Sequence, residues 1–553
     1  SNTVCIVLQL ALAIDYAIIL CHRFTEEKDN NPGNAKAALV SALAKAIPEI
    51  LSSSLTTISG LVALMFMQLG LGFDLGMVLA KSIVFSLLTV FFLMPGILLL
   101  LSKPMDKTRH RNFVPKLRFW GRGVVKARYV LIPIFVALFA VGAVLSQNIA
   151  YVYSNEDIDT SSPTDTVIAK RECESIFGYE NTFAILVDKG DPESERLIVK
   201  TVMEMGKYPE LVDSALALSN VEYNGVYITD ELNAAELSEL SGLDYFLCKQ
   251  LYMGYANTNG IEYTDDLYTD TLYVPLIDIL NFVFDNEDAF GSYIPPELGE
   301  VKSLLTFAQS QLVGKNHSRL VFNLNAGIED EEVFELIKTL TPAVKAIRKD
   351  AIFAGSSMSA YDLNVSFSSD NILITILTIA FIFVILAFTF RSWGIPAILV
   401  LAIQGAIFMN FSLPVITGGN LFFFTYLIIS AIQMGATIDY AILLTNRFRQ
   451  LKDRYDRREA MTEAVSGAFP TVFTSGTIMC VAGFLVGALT SDPLIASIGM
   501  YIGTGTIISI VCVLLFLPAL LYTLDPLLEK TVIKPRHPMK KLHMPNPSLP
   551  LYK

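Results

Sequence analysis

The sequence has 553 residues, 53% of them hydrophobic and 17% charged, with a mean hydropathy of +0.50 and a formal net charge of −12. Soluble chains carry about a quarter charged residues, so this composition excludes one large water-soluble core and points to membrane spans. The six cysteines and five histidines form no cluster, and no phosphate-binding loop or nucleophile elbow occurs. No metal, cofactor or catalytic residue is therefore expected, which argues against an ATP-driven pump and a hydrolase.

A span takes roughly 20 mostly apolar residues. In chain order, about nine stretches qualify: residues 3–21, 50–69, 75–101, 130–150, 372–390, 395–416, 421–444, 471–489 and 495–522. Lysine and arginine stay cytoplasmic beside span ends, and residues 103–128 hold about nine bases against one acid. Residues 447–458 and a tail with Lys530, Lys534, Arg536, Lys540 and Lys541 are also basic. Placing all three inside gives a consistent alternation and leaves residues 151–370 outside. That stretch is near −24, with about 38 acids and about 14 bases, so the rest of the chain is near +12. The first span then runs from outside to inside with only Ser1 and Asn2 before it, and no initiating Met or signal peptide. Further spans and a further outer domain are expected upstream.

The expected layout is three spans (1–102), a basic amphipathic segment on the inner leaflet (103–128) and one span (129–150). An extracellular domain (151–370), a five-span bundle (371–524) and a cytoplasmic tail (525–553) follow. The setting is the plasma membrane. In the outer domain, 181–188, 214–218, 318–325 and 351–355 read as strands, with helices at 193–205 and 330–348. That order suits an α+β, ferredoxin-like porter fold. A mostly helical insert lies near 220–316, clearest at 231–251. Cys173 and Cys248 both fall in this polar part, and their pairing is left open.

The spans contain a repeat. Residues 10–28 read LALAIDYAIILCHRFTEEK and residues 434–452 read MGATIDYAILLTNRFRQLK. Pro48 and Ser53 correspond to Pro470 and Ser475, Gly76-Met77 to Gly499-Met500, and the run ending at Pro95 to the run ending at Pro518. The first three spans therefore recur as the last three in the same orientation, as in transporters whose site lies between two halves.

An aspartate in mid-span costs roughly 2.5–3.5 kcal/mol on insertion scales, and Asp15 and Asp439 accept that cost at equivalent positions. No lysine or arginine lies deep in a span beside them. Burial without a cation disfavours the charged form, which suits a carboxyl that takes up and releases a proton. Tyr16 and Tyr440 add phenols able to donate and accept. Neighbours on a helix point about 100° apart, so each tyrosine is expected to bond the other helix's aspartate. Ser53 and Thr57 on one neighbouring span, and Thr474 and Ser475 on its repeat, are candidate supports through close packing and hydroxyl bonding.

The run Gly435-Ala436-Thr437-Ile438-Asp439-Tyr440 resembles the GxxxDY motif of the MMPL branch of the RND (resistance-nodulation-division) superfamily. The first copy departs from it, with Ala11 where the motif has Gly; alanine is small, so helix contact is still expected at both positions. The resemblance covers the whole chain and implies a polytopic protein of about twelve spans with two outer porter domains, of which this chain lacks the first three spans and the first porter domain. It also implies that Asp15, Tyr16, Asp439 and Tyr440 relay protons while lipids or other hydrophobic and amphiphilic molecules are exported. The partners would be protons, such a substrate and membrane lipids, without nucleic acid; a homo-oligomer is left open. The competing classes are a non-transporting sensor or scaffold, like the superfamily's sterol-sensing relatives, and a protein-translocation motor.

Overall fold

Long apolar runs become long helices, because a helix satisfies its own backbone where water cannot. The computed structural model describes residues 2–31, 33–107, 117–153, 165–177, 181–205, 211–262, 271–286, 297–490 and 492–533. They divide into two units, one of residues 1–164 and 366–553, the other of residues 165–365.

In chain order the first unit opens with α1 (Asn2–Asn30), α2 (Ala35–Leu64), α3 (Gly70–Leu88), α4 (Met94–Lys107) and α5 (Arg118–Leu145). The second unit holds α6 (Asp165–Phe177), β1 (Asn181–Asp188), α7 (Pro192–Glu204) and β2 (Val212–Leu216). Its insert holds α8 (Ala234–Ser241), α9 (Tyr245–Asn259), α10 (Leu276–Asp285) and α11 (Glu297–Leu312). Then come β3 (His317–Leu324), α12 (Glu331–Ile347) and β4 (Ile352–Gly355). The chain closes with α13 (Ser356–Phe390), α14 (Gly394–Phe411), α15 (Phe423–Lys452), α16 (Arg457–Leu489), α17 (Pro493–Val511) and α18 (Leu517–Leu528). Among the described residues eight helices are long and apolar enough to cross a membrane, and they coincide with eight of the expected spans. The ninth expected span falls on α1, a 29-residue helix most of whose first-half side chains lie outside the described residues. The molecule is a polytopic, mostly helical membrane protein.

The repeat extends to an irregularity of the backbone. Thr89–Leu93 and Cys512–Phe516 are both five-residue π-helices, each followed after one residue by a proline, Pro95 or Pro518. Proline lacks an N–H and its ring clashes with the carbonyl four residues back; widening the turn relieves that clash. In the second copy that carbonyl belongs to Leu514, and Trp120 Nε1 on α5 donates to it at 3.3 Å. Of the basic segment, Lys103 and Lys107 lie in α4, while Arg118, Arg122, Lys126 and Arg128 lie in the first turns of α5. Its described parts are thus ends of spans, since helix propagates readily from an existing span; residues 108–116 lie outside the described residues.

In the second unit the sheet order is β2-β3-β1-β4, all antiparallel. Alternation buries Phe183, Ile185 and Val187 of β1 with Leu320 and Phe322 of β3 against Ile198 of α7 and Leu336 of α12. The insert has its own core around Cys248, Tyr252, Ile277 and Phe284. The helix expected over 231–251 is two helices. Gly242 at φ 71° ends α8 in a left-handed cap, the conformation that favours glycine, and Asp244 caps α9. Cys173 is exposed, Cys248 is buried, and both are free.

Candidate functional site

Asp439 and Tyr440 lie midway along α15, where every residue from Ala431 to Thr445 is buried. A span enclosed on all sides by protein is an interior element, so Asp439, 8% exposed, faces the bundle. Tyr16 on α1 is 1% exposed. The side chains of Asp15 and Ala11 lie outside the described residues, and so therefore does the expected pairing of Asp15 with Tyr440.

Small residues bring α2 onto α15. A Cβ on Gly435 would fall 2.9 Å from Thr57 Cα, and one on Gly60 would fall 2.9 Å from the Ala431 carbonyl oxygen. That approach lets Thr57 Oγ1 reach the Gly435 carbonyl at 3.1 Å, with the Ser53 carbonyl as its other acceptor at 3.2 Å. Tyr16 donates to the same hydroxyl at 3.4 Å. In the other half, Ser475 Oγ donates to Tyr440 OH at 3.1 Å. Each phenol is thus bonded to a hydroxyl of the next helix of its own half: Thr57 on α2 or Ser475 on α16. Ser53 is buried beside them, whereas Thr474 is exposed and turned away. The glycines of α17 make the close contact their spacing suggests: a Cβ on Gly499 would lie 2.6 Å from Gly487 N of α16.

The structure adds groups the sequence reading passed over. Asn410 on α14 donates to Gln433 Oε1 at 3.0 Å, and Gln433 Nε2 donates to the Gly505 carbonyl at 3.2 Å and Ser509 Oγ at 3.1 Å. A Cβ on Gly505 would lie 2.6 Å from Asn410 Nδ2, so glycine makes room for this network. A signal was available: Gln433 precedes Asp439 by six residues, as Gln9 precedes Asp15. A cavity of about 280 Å³ opens between α13, α14 and α15, lined by Asn371, Thr375, Gln404 and Ser430 together with Ile407 and Phe408.

A family model described as the MMPL family matches residues 1–133 and 301–543 of the chain. Two Streptomyces coelicolor proteins, each named as a membrane protein, align with it. ActII-3 is 32% identical over 176 residues, and SCO0839 is 28% identical over 185 residues. These stretches are 30% and 32% of this chain, but only 24% and 25% of the relatives' own lengths.

Proposed function

This chain belongs to the MMPL family, and from that premise we propose that it works as a proton-driven exporter of hydrophobic or amphiphilic molecules. The proposed relay is the two Asp-Tyr pairs, Asp15-Tyr16 and Asp439-Tyr440. The observation that carries this reading is a mid-span carboxyl, Asp439, inside a protein-enclosed helix and beside a phenol bonded to a neighbouring helix. One charge moving through 100 mV yields about 2.3 kcal/mol, enough to bias a conformational cycle. Thr57 supports the relay by joining Tyr16 to the α15 backbone one turn before Asp439. The cavity of about 280 Å³, polar on some walls and apolar on others, suits a substrate with a polar head and an apolar body.

In the same reading the basic span ends face the cytoplasm of a plasma-membrane protein, and residues 151–370 lie outside. The antiparallel order β2-β3-β1-β4, with α7 and α12 as its crossovers, supports a ferredoxin-like porter fold there.

The test is carbodiimide labelling of Asp15 and Asp439 on membranes carrying the complete protein, read site by site by mass spectrometry. Labelling should fade with a midpoint near neutral pH, and Asp439→Asn should stop proton-coupled export. Labelling unchanged between about pH 5 and about pH 9 would remove the relay, and the sensor or scaffold class would take its place.

A further inference from the structure

Eight residues beyond each relay aspartate the repeat carries an arginine, Arg23 on α1 and Arg447 on α15. A helix rises about 12 Å over that distance, which takes both to the same end of the bundle. The two guanidiniums have different company. Arg23 Nη2 donates to Glu49 Oε2 at 3.2 Å, and Nη1 to Glu26 Oε2 at 3.1 Å. Arg447 makes no hydrogen bond or ion pair with the described residues, and its Nε is buried without a partner. Its Nη1 lies over Gly467, where a Cβ would sit 2.5 Å away.

The repeat explains the inequality. Pro48-Glu49 in the first half stands where the second half has Pro470-Thr471, so the second arginine has no carboxylate of its own at that place. Thr471 Oγ1 is likewise buried without a partner. Glu49 is 6% exposed, and its second oxygen, Oε1, is buried and unengaged. Among the described residues, the charges that act on Arg447 are Arg23 and Glu26 of α1 and then Glu49 of α2. Glu49 is paired with Arg23 through one oxygen and has the other unengaged, while Arg447 is buried with no ion pair among the described residues; a buried ion left without its counterion is strongly destabilising. Arg23 keeps Glu26 when Glu49 leaves it, whereas Arg447 is bonded to neither carboxylate.

We propose that Glu49 exchanges between Arg23 and Arg447, and that the exchange fixes how the two halves sit in the two states of the transport cycle. Glu49 and Arg447 are then positioning residues, acting through the helices that carry the aspartates. The proposal rests on the relay reading only for what drives the exchange.

Two cysteine pairs test it in the complete protein with its native cysteines replaced: Glu49→Cys with Arg23→Cys, and Glu49→Cys with Arg447→Cys. Both are treated with a short bis-methanethiosulfonate, which forms a disulfide with each thiol and releases sulfinate, in membranes with and without an imposed proton gradient. The expected result is that both pairs cross-link and that the gradient shifts their ratio at least twofold. If the 49–447 pair never cross-links, the exchange is overturned. A ratio indifferent to the gradient and to Asp439→Asn would leave the exchange standing and remove the relay as its driver. Since cysteine at 49 removes the carboxylate whose exchange is proposed, a second readout keeps Glu49 intact. In proteoliposomes, Arg447→Gln should slow proton uptake at least tenfold and Arg447→Lys should restore it. Wild-type uptake in Arg447→Gln would overturn the proposal.

Discussion

At the scale of single residues, the contact between α2 and α15 is the sensitive place. Thr57→Val keeps the shape and removes the hydroxyl that joins Tyr16 to the Gly435 carbonyl. A hydrogen bond of this kind contributes about 0.5–1.5 kcal/mol, so export should slow by up to about tenfold, measured as initial rate at fixed gradient. Gly435→Ala places a methyl 2.9 Å from Thr57 Cα. Overpacking of that kind costs about 1–3 kcal/mol, and the thermal midpoint in detergent should fall. The equivalent residue of α1 is already Ala11. The burial of Asp439, Tyr16 and Tyr440 was legible in the sequence because a costly mid-span aspartate recurs in register with a tyrosine beside it. The partners of the phenols were not, because which hydroxyl faces a tyrosine depends on helix rotation. Thr474 and Ser475 are adjacent, yet only Ser475 turns inward.

At the scale of elements, Trp120 ties the start of α5 to the carbonyl that Pro518 releases. Trp120→Phe keeps the ring and withdraws the donor. An unmet buried carbonyl costs about 1–3 kcal/mol, and hydrogen exchange should quicken in Cys512–Phe516 before it does in α16. The strands were legible where alternation is strict, as in Asn181–Asp188, which the structure reproduces residue for residue. The break between α8 and α9 had a local sign in Gly242, but the apolar period runs on across it and masked the cap. The π-helices had none, for their cause is a proline whose effect depends on packing around the freed carbonyl.

At the scale of the whole molecule, the second unit should respond to pH in two opposed ways. Arg348 grips Asp350 with two bonds, at 2.8 Å and 2.7 Å, and holds its carboxyl well below the usual range. A depressed carboxyl contributes stability above its ordinary pKa, and that contribution is lost as pH falls towards the depressed value. The melting temperature of this unit should therefore drop below about pH 4, and Arg348→Gln should lower it at neutral pH while flattening the acid drop. Asp278 is the reverse case, since burial pushes its carboxyl up. Its charged form disfavours the fold, so Asp278→Asn should raise the melting temperature at pH 7 and have no such effect in acid. That residues 165–365 form a unit of their own, apart from the long apolar helices, was legible from charge alone, because the acids concentrate in 151–370. The pairing of individual charges was not, since Arg348 and Asp350 meet through the corner between α12 and β4.

The paired π-helices also bear on insertions and deletions. A five-residue π turn accommodates one residue more than α-helical winding would, while both flanking helices keep their faces. Elsewhere in α17 or α18, deleting one residue would rotate everything beyond it by about 100°. Within Cys512–Phe516 the surplus residue can be given up and the turn rewound, so a shortened chain should still insert and assemble. Thr89–Leu93 should tolerate the same loss, which makes these two turns the places where each half absorbs a change of length without a change of facing.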